Sequence, residues 1–267
     1  SETIKLTADS VERVASSIHG SPSAQILATG MSGVAKEGAL KIRETVLNHT
    51  EGSEASEFKH GPNTILGKNT VYGLESISSM SKEFHYAVGK IYKLADERGI
   101  DSSDVKDIIQ ALSVFVFERS MPFNLTKKGT ILFKELVQEY DFFGPMMINY
   151  PLIYITGPDE RDINLTISQM NTHKIRGGST FIVAEGSKQL MENAYYDDES
   201  GRYSWDFIKL PKTGDALMVT ISATIAIQLL SLGMSVKKMK YLDKLGMLGH
   251  GVHPDVPKNV SKSITVD

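Results

Sequence analysis

No cysteine occurs among the 267 residues. That removes disulfides, thiolate metal sites and cysteine nucleophiles, and it makes a reducing compartment the simplest setting. An excess of one charge is equally lacking. Twenty-nine Lys and Arg against 32 Asp and Glu leave a net charge of −3, without the basic field that nucleic acid requires. The opening stretch SETIKLTADSVERV has neither the basic start nor the apolar run of an export leader, so a cytoplasmic location is the expectation. Long apolar runs are scarce too, with one exception. Ala216 to Val236 carries no charge over 21 residues, close to membrane-spanning length. Thr220, Ser222, Thr224, Gln228 and Ser231 dilute its hydrophobicity, and a helix packed inside an α/β protein is expected rather than a membrane span.

What is present reads as an α/β pattern. Residues 8–19 have an apolar stripe at Val11, Val14, Ala15 and Ile18 behind an Asp9/Glu12 start signal, and the turn His19-Gly20-Ser21-Pro22 stops that helix. The run AQILATG is a short buried strand, and MSGVAKEGALKIRETVLNH returns to helical spacing. Strand, tight turn and helix open a parallel α/β unit. The same grammar returns after residue 150: LIYIT as a strand, Pro158 to Arg176 as a helix ended by Gly177-Gly178, STFIVAE and WDFIKLP as strands, then the uncharged helix. Between about 67 and 150 helical patterns dominate, over Lys82 to Glu97, Asp104 to Glu118 and Thr130 to Tyr140. The predicted organisation is one domain over 1–66 and 151–267, a helical insertion over 67–150 and an extended C-terminal arm. No repeat or low-complexity segment is found.

The densest chemistry lies in KEGALKIRETVLNHTEGSEASEFKHGP, Lys36 to Pro62. Glu37, Lys41 and Glu44 fall at i, i+4 and i+7 and share one helix face. On spacing alone this is an ion-pair stripe of a common kind. Gly38 and Ala39 thin the helix between them, which suits close approach of a neighbour. The stretch His49 to Pro62 reads as a polar surface loop with a turn at Gly61-Pro62. His60 is either a structural turn residue or an acid–base group, histidine being the side-chain type suited to that work near neutrality. The turn Thr29-Gly30-Met31-Ser32-Gly33 precedes a helix and is either a tight connection or an anion site that would use Thr29 and Ser32. His250 and His253 read as a turn pair, because no cysteine or nearby carboxylate pair completes a metal set. No metal and no cofactor are expected.

Three strings carry a family resemblance: EGALKIRE at 37–44, EFKHGP at 57–62 and PKNVSKSITVD at 257–267. In this order they resemble the second of the two sugar-isomerase (SIS) domains of the glucosamine-6-phosphate synthase family. The similarity covers roughly 8–66 and 151–267, leaving out the insertion and a stretch near Met239 to Leu248. The resemblance implies a SIS-type parallel sheet flanked by helices. It also implies conversion of fructose 6-phosphate to glucosamine 6-phosphate, using ammonia from a separate glutaminase domain. It implies Glu44 as the base that moves a proton between C1 and C2, and Lys41 as a contact to the reacting sugar. His60 would assist ring opening from a neighbouring subunit, and Lys262, with Ser261 beside it, would reach the sugar's carbonyl carbon. A homodimer or larger assembly with a shared site, and preceding SIS and glutaminase domains, are the implied partners, with no membrane and no nucleic acid.

The chemistry is coherent on general grounds. Ring opening needs an acid near neutrality, isomerisation needs a carboxylate beside the carbonyl, and an ammonium stabilises an enediol-like oxygen. A lysine amine can form a Schiff base with an open ketose. Two departures stand out. The family's phosphate turn, SxSGxT, belongs to its first SIS domain, and here the equivalent strand end reads TGPDERD, whose Asp159 and Glu160 repel a phosphate. The absence of cysteine rules out the glutaminase step in this chain. The rival readings are an ammonia-independent phosphosugar isomerase or deglycase, and a sugar-phosphate-binding regulatory module.

Overall fold

The structure is a computed structural model and describes residues 2–66, 74–118, 120, 124–143, 149–199, 201–247, 249–252 and 254. The chain divides into two compact units, Ser1–Val71 with Asn149–Asp267, and Tyr72–Ile148.

The first unit is built on a five-stranded sheet in the order β2-β1-β3-β4-β5, every neighbouring pair parallel. The strands are β1 (Ser23–Thr29), β2 (His49–Glu54), β3 (Tyr150–Thr156), β4 (Gly178–Glu185) and β5 (Trp205–Leu210). The α/β class and the parallel sheet are as expected from the alternation of strand and helix signals. Side chains alternate across each strand, and they feed two cores. Ile26, Ala28, Ile153, Ile155, Phe181, Val183 and Ile208 meet one layer of helices. That layer holds α1 (Glu2–Ile18), α2 (Ser32–Val46) and, after the insertion and the remaining strands, α9 (Ala216–Lys244). Leu27, Leu152, Tyr154, Ile182, Ala184 and Phe207 face the other way, onto α3 (Ala55–Lys59), α7 (Glu160–Lys174) and α8 (Lys188–Ala194). Central strands buried on both faces read as continuous apolar runs, which is why they were legible.

Three details differ from the sequence reading. α1 starts at Glu2, well before the Asp9 signal, because Thr3 and Thr7 extend its buried stripe and the Thr7 hydroxyl bonds back to the Thr3 carbonyl at 2.8 Å. The polar stretch after His49 is not a plain loop: it contains edge strand β2, helix α3 and a 3-10 turn over Pro62–Ile65. β2 has no apolar alternation because its neighbour on one side is β1 and the other side is the sheet edge, so backbone pairing alone defines it. Between β4 and β5, α8 forms in a stretch for which no element was read; the Ser187 hydroxyl caps it by accepting from Leu190 N.

The uncharged segment forms the first part of α9. By length and composition it could cross a membrane. In this fold it packs through Val219, Ala223, Ala226, Ile227, Leu230 and Met234, while Leu217, Met218, Ile221 and Leu232 remain exposed. Asp215 caps its start, accepting from Leu217 N and Met218 N.

The second unit is helical: α4 (Leu74–Arg98), α5 (Ser102–Ser113) running into a π-helical turn over Val114–Glu118, and α6 (Lys127–Glu139). Its core gathers Ile91, Ile108, Leu112, Val116, Leu132 and Leu136, with Phe115 edge-on to Phe133 at 5.7 Å between ring centroids. Thr126 caps α6 through Gly129 N.

Candidate active site

α2 is held at close quarters on three sides. A side chain at Gly52 would sit 2.1 Å from the Ala35 carbonyl oxygen, so the helix backbone lies directly on β2. Gly38 lets Ile227 of α9 and Ile26 of β1 approach to where its own Cβ would be, at 2.4 and 2.9 Å. Its thinness thus serves packing inside the unit. Ser231 and Ser235 of α9 bond the Thr45 hydroxyl (2.7 Å) and the Thr45 carbonyl (2.7 Å). The end of α2 is fixed by Leu47 in the left-handed conformation (φ 55°) and by Lys238, which donates to Val46 O at 2.8 Å and Leu47 O at 3.3 Å. Burial pushes the Lys238 pKa down.

This helix presents Glu37, Lys41 and Glu44 on one face, as their spacing predicts. Lys41 Nζ lies 3.0 Å from Glu44 Oε2 and 3.8 Å from Glu37 Oε1. The three side chains are partly covered, Glu44 most, at 25% exposure against 34% for Lys41. The hydrogen bond to Glu44 raises the Lys41 pKa, and the Glu37 charge adds to it. Lys41 is therefore an ammonium at working pH, a fixed positive charge beside a carboxylate and not a nucleophilic amine. Gln228 of α9 donates to Glu37 at 3.4 Å. Gln228 and Ser231 were read only as diluting a hydrophobic helix. Their three-residue spacing on an otherwise apolar segment was the signal that they face α2.

His60 stands elsewhere. It is the exposed C-cap of α3, its backbone N–H bonding Glu57 O at 3.2 Å. α3 packs on the sheet face opposite to α2, anchored by the buried Ala55 and Phe58. Within one chain the Lys41–Glu44 pair and His60 therefore lie over opposite faces of the sheet. Ser261, Lys262 and His253 lie outside the described residues.

The turn after β1 is built for tight connection. Gly30 takes φ 74°, and its N–H is occupied by the Glu54 carboxylate at 3.2 Å. Asp162 Oδ2 lies 3.1 Å from the position a Gly30 Cβ would take. Thr29 is buried, its hydroxyl bonded to Thr166 at 2.8 Å, and Ser32, half-buried, is the first residue of α2. Two carboxylates, Glu54 and Asp162, thus stand at the switch point between β1 and β3, where open α/β sheets usually hold ligands, and they oppose an anion there. The buried Glu185 at the end of β4 closes the β5–α9 connection, accepting from Thr213 N (2.6 Å), the Thr213 hydroxyl (2.7 Å) and Gly214 N (2.9 Å). Burial works to raise its pKa, but these bonds prevail and hold it below the ordinary value.

Beneath α3 lies a polar group that the sequence did not announce. His173, fully buried, places Nδ1 2.8 Å from the Tyr154 hydroxyl, and its ring meets Phe58 edge-on at 5.1 Å. Burial first, then the charges of Arg176 and Lys59, push the His173 pKa down to about 4. Burial raises that of Tyr154. His250 pairs with Asp243 at 3.1 Å and bonds Val252 N at 2.9 Å, so it braces the end of α9. Among the described residues no cluster of His, Asp and Glu could hold a metal.

No family model matches the chain. Over 106 residues it is 33% identical to the glutamine–fructose-6-phosphate aminotransferase (isomerizing) of Zymomonas mobilis. In that stretch the chain is similar to an isomerising aminotransferase. The match takes in 36% of this chain and 17% of that protein's length. Among solved structures, the C-terminal domain of glucosamine-fructose-6-phosphate aminotransferase from Francisella tularensis aligns with a TM-score of 0.49 and 16% identity, over 89% of this chain and 42% of that one.

Proposed function

We propose that this chain performs the sugar-isomerase step of amino-sugar phosphate synthesis, turning fructose 6-phosphate and ammonia into glucosamine 6-phosphate in the cytoplasm. The observation that carries this reading is the half-covered Lys41–Glu44 pair on a rigid helix, inside the string EGALKIRE. Similarity to the Zymomonas aminotransferase supports it.

In this reading His60 protonates the ring oxygen of the cyclic ketose and frees the carbonyl. Lys262 condenses with C2, water leaves, and ammonia displaces the lysine to give the C2 imine. Glu44 then takes a proton from C1 and returns it to C2, while the O1 hydroxyl proton passes to the imine nitrogen, so C1 becomes the aldehyde and C2 carries the amine. Electron density builds on oxygen in between, where the Lys41 ammonium stabilises it. His60 and Glu44 lie over opposite faces of one sheet, which favours a site completed by a second copy. The acidic ring around Gly30 favours a phosphate pocket supplied by a preceding SIS domain or another subunit, and a separate glutaminase domain supplies ammonia.

The test is deuterium exchange at C1 of fructose 6-phosphate, followed by NMR in heavy water. Exchange slowed about 10²- to 10⁴-fold by Glu44→Gln is the expected result. Exchange that needs no ammonia to yield an aldose would favour the ammonia-independent isomerase. Binding without exchange in the intact assembly would favour the regulatory module.

A further inference from the structure

α3 has five residues, too few to be stable as a helix by itself. Its hold on the sheet comes from Ala55 and Phe58, its two buried residues. Phe58 is 1% exposed and precedes His60 by two positions, so the seat of the phenyl ring sets where the imidazole stands. The floor of that seat includes His173, whose ring is nearly perpendicular to Phe58, at 88°. His173 cannot turn freely, because Nδ1 is bonded to the Tyr154 hydroxyl and Tyr154 is itself fully buried on β3. The bond to Tyr154 takes up Nδ1 and leaves Nε2 as the ring's other polar atom. That Nε2, and Oε1 of Gln169 one turn earlier on α7, are buried without a hydrogen-bond partner in the structure. Apolar side chains would fill this place more favourably, since each orphaned polar atom lowers stability. What the imidazole offers that an aliphatic residue does not is a directional bond to the sheet and a ring edge against Phe58.

We propose that His173 is a positioning residue for His60: the Tyr154–His173–Phe58 stack fixes α3 and thereby the imidazole that opens the sugar ring. This rests on the reading of His60 given above and adds to it a defined support, anchored to β3 through Tyr154.

The test separates ring opening from proton transfer. 5-Deoxyfructose 6-phosphate lacks the hydroxyl that closes the furanose ring and so stays open, needing no help from His60. In the full-length protein, His173→Phe is expected to slow C1 exchange on fructose 6-phosphate about ten- to a hundredfold while changing the rate on the open analogue by less than about twofold. His60→Ala should give the same selective loss, and the double variant should be no slower than His60→Ala alone. Tyr154→Phe removes one oxygen and leaves both rings, and it should give the same pattern to a smaller degree if His173→Phe does not fold. Equal losses on both substrates, or additive losses in the double variant, overturn the proposal. If the wild-type protein exchanges neither substrate, the functional reading fails but the support is still measurable. The ¹⁵N imidazole resonances of His60 should then move in Tyr154→Phe and His173→Phe, and unchanged resonances would refute the coupling.

Discussion

On one face of the sheet, α1, α2 and α9 close over Ile26, Ile153, Val183 and Ile208, and the ionisable groups Glu37, Lys41 and Glu44 stay at the outer rim, partly in water. On the other face, α3, α7 and α8 close over Leu27, Leu152 and Ile182, but Tyr154, Gln169 and His173 are drawn inside with them. The first arrangement achieves rigidity through contact: glycines at 38 and 52 let helix, strand and helix touch. The second achieves direction through polar bonds, and it leaves Gln169 Oε1 and His173 Nε2 among its buried atoms without partners. Charge at a rim keeps part of its hydration, whereas burial drives the proton off an imidazole in a core. In the proposed function the two faces serve different steps, with the Glu44 carboxylate over one and the His60 imidazole over the other.

This contrast can be broken most directly at Gly52. Gly52→Ala places a methyl group against the Ala35 backbone, and neither strand nor helix can yield cheaply. A loss of more than about 3 kcal/mol in urea unfolding is expected, together with loss of C1 exchange as α2 and Glu44 shift. A variant of wild-type stability would show that the first face is not set by backbone contact.

The next effect sharpens the second face. A histidine whose pKa is near 4 in the fold and about 6.5 unfolded binds its proton more readily in the unfolded chain. Stability is therefore complete above pH 6.5 and falls as pH drops toward 4, by about 2–3 kcal/mol, then levels off with respect to this group. Glu185, held below its ordinary pKa, adds its own loss only in the carboxylate range. Chemical denaturation at pH 7 and pH 5 should show the decline, and His173→Phe should flatten it. A decline that persists unchanged in that variant would place the titration elsewhere.

The smallest effect belongs to the rim. Arg13 clamps Asp206 through two bonds of 2.8 and 2.9 Å, but the arginine is largely exposed. Arg13→Ala should cost less than about 1 kcal/mol, further reduced by salt. A thermal melt at two ionic strengths measures it, and a larger, salt-independent loss would mean that the α1–β5 contact carries part of the first face.

The local pattern was enough for β1, β3 and β4, because strands buried on both faces must be apolar throughout; the edge strand β5, WDFIKL, showed itself only through Trp205, Phe207, Ile208 and Leu210. It was enough for α2 and its Glu37–Lys41–Glu44 face, because helical spacing is a local property. β2 escaped notice because an edge strand takes its definition from a neighbour's backbone, and its HTEGSE carries no period. His173 escaped for a related reason: in α7, among Gln169, Asn171 and Thr172, it reads as one more polar residue on a polar helix.

Composition excluded cysteine chemistry in this chain and showed no basic excess, and periodicity gave the α/β alternation and the shared helix face, since these depend only on residue type and spacing. Which face of the sheet each group occupies was settled by tertiary structure alone. Only the packed strands put Glu44 and His60 on opposite sides, turned Glu54 and Asp162 toward Gly30, and buried His173 against Tyr154 and Phe58. Those relations join residues up to a hundred or more positions apart, and no local rule of spacing reaches that far.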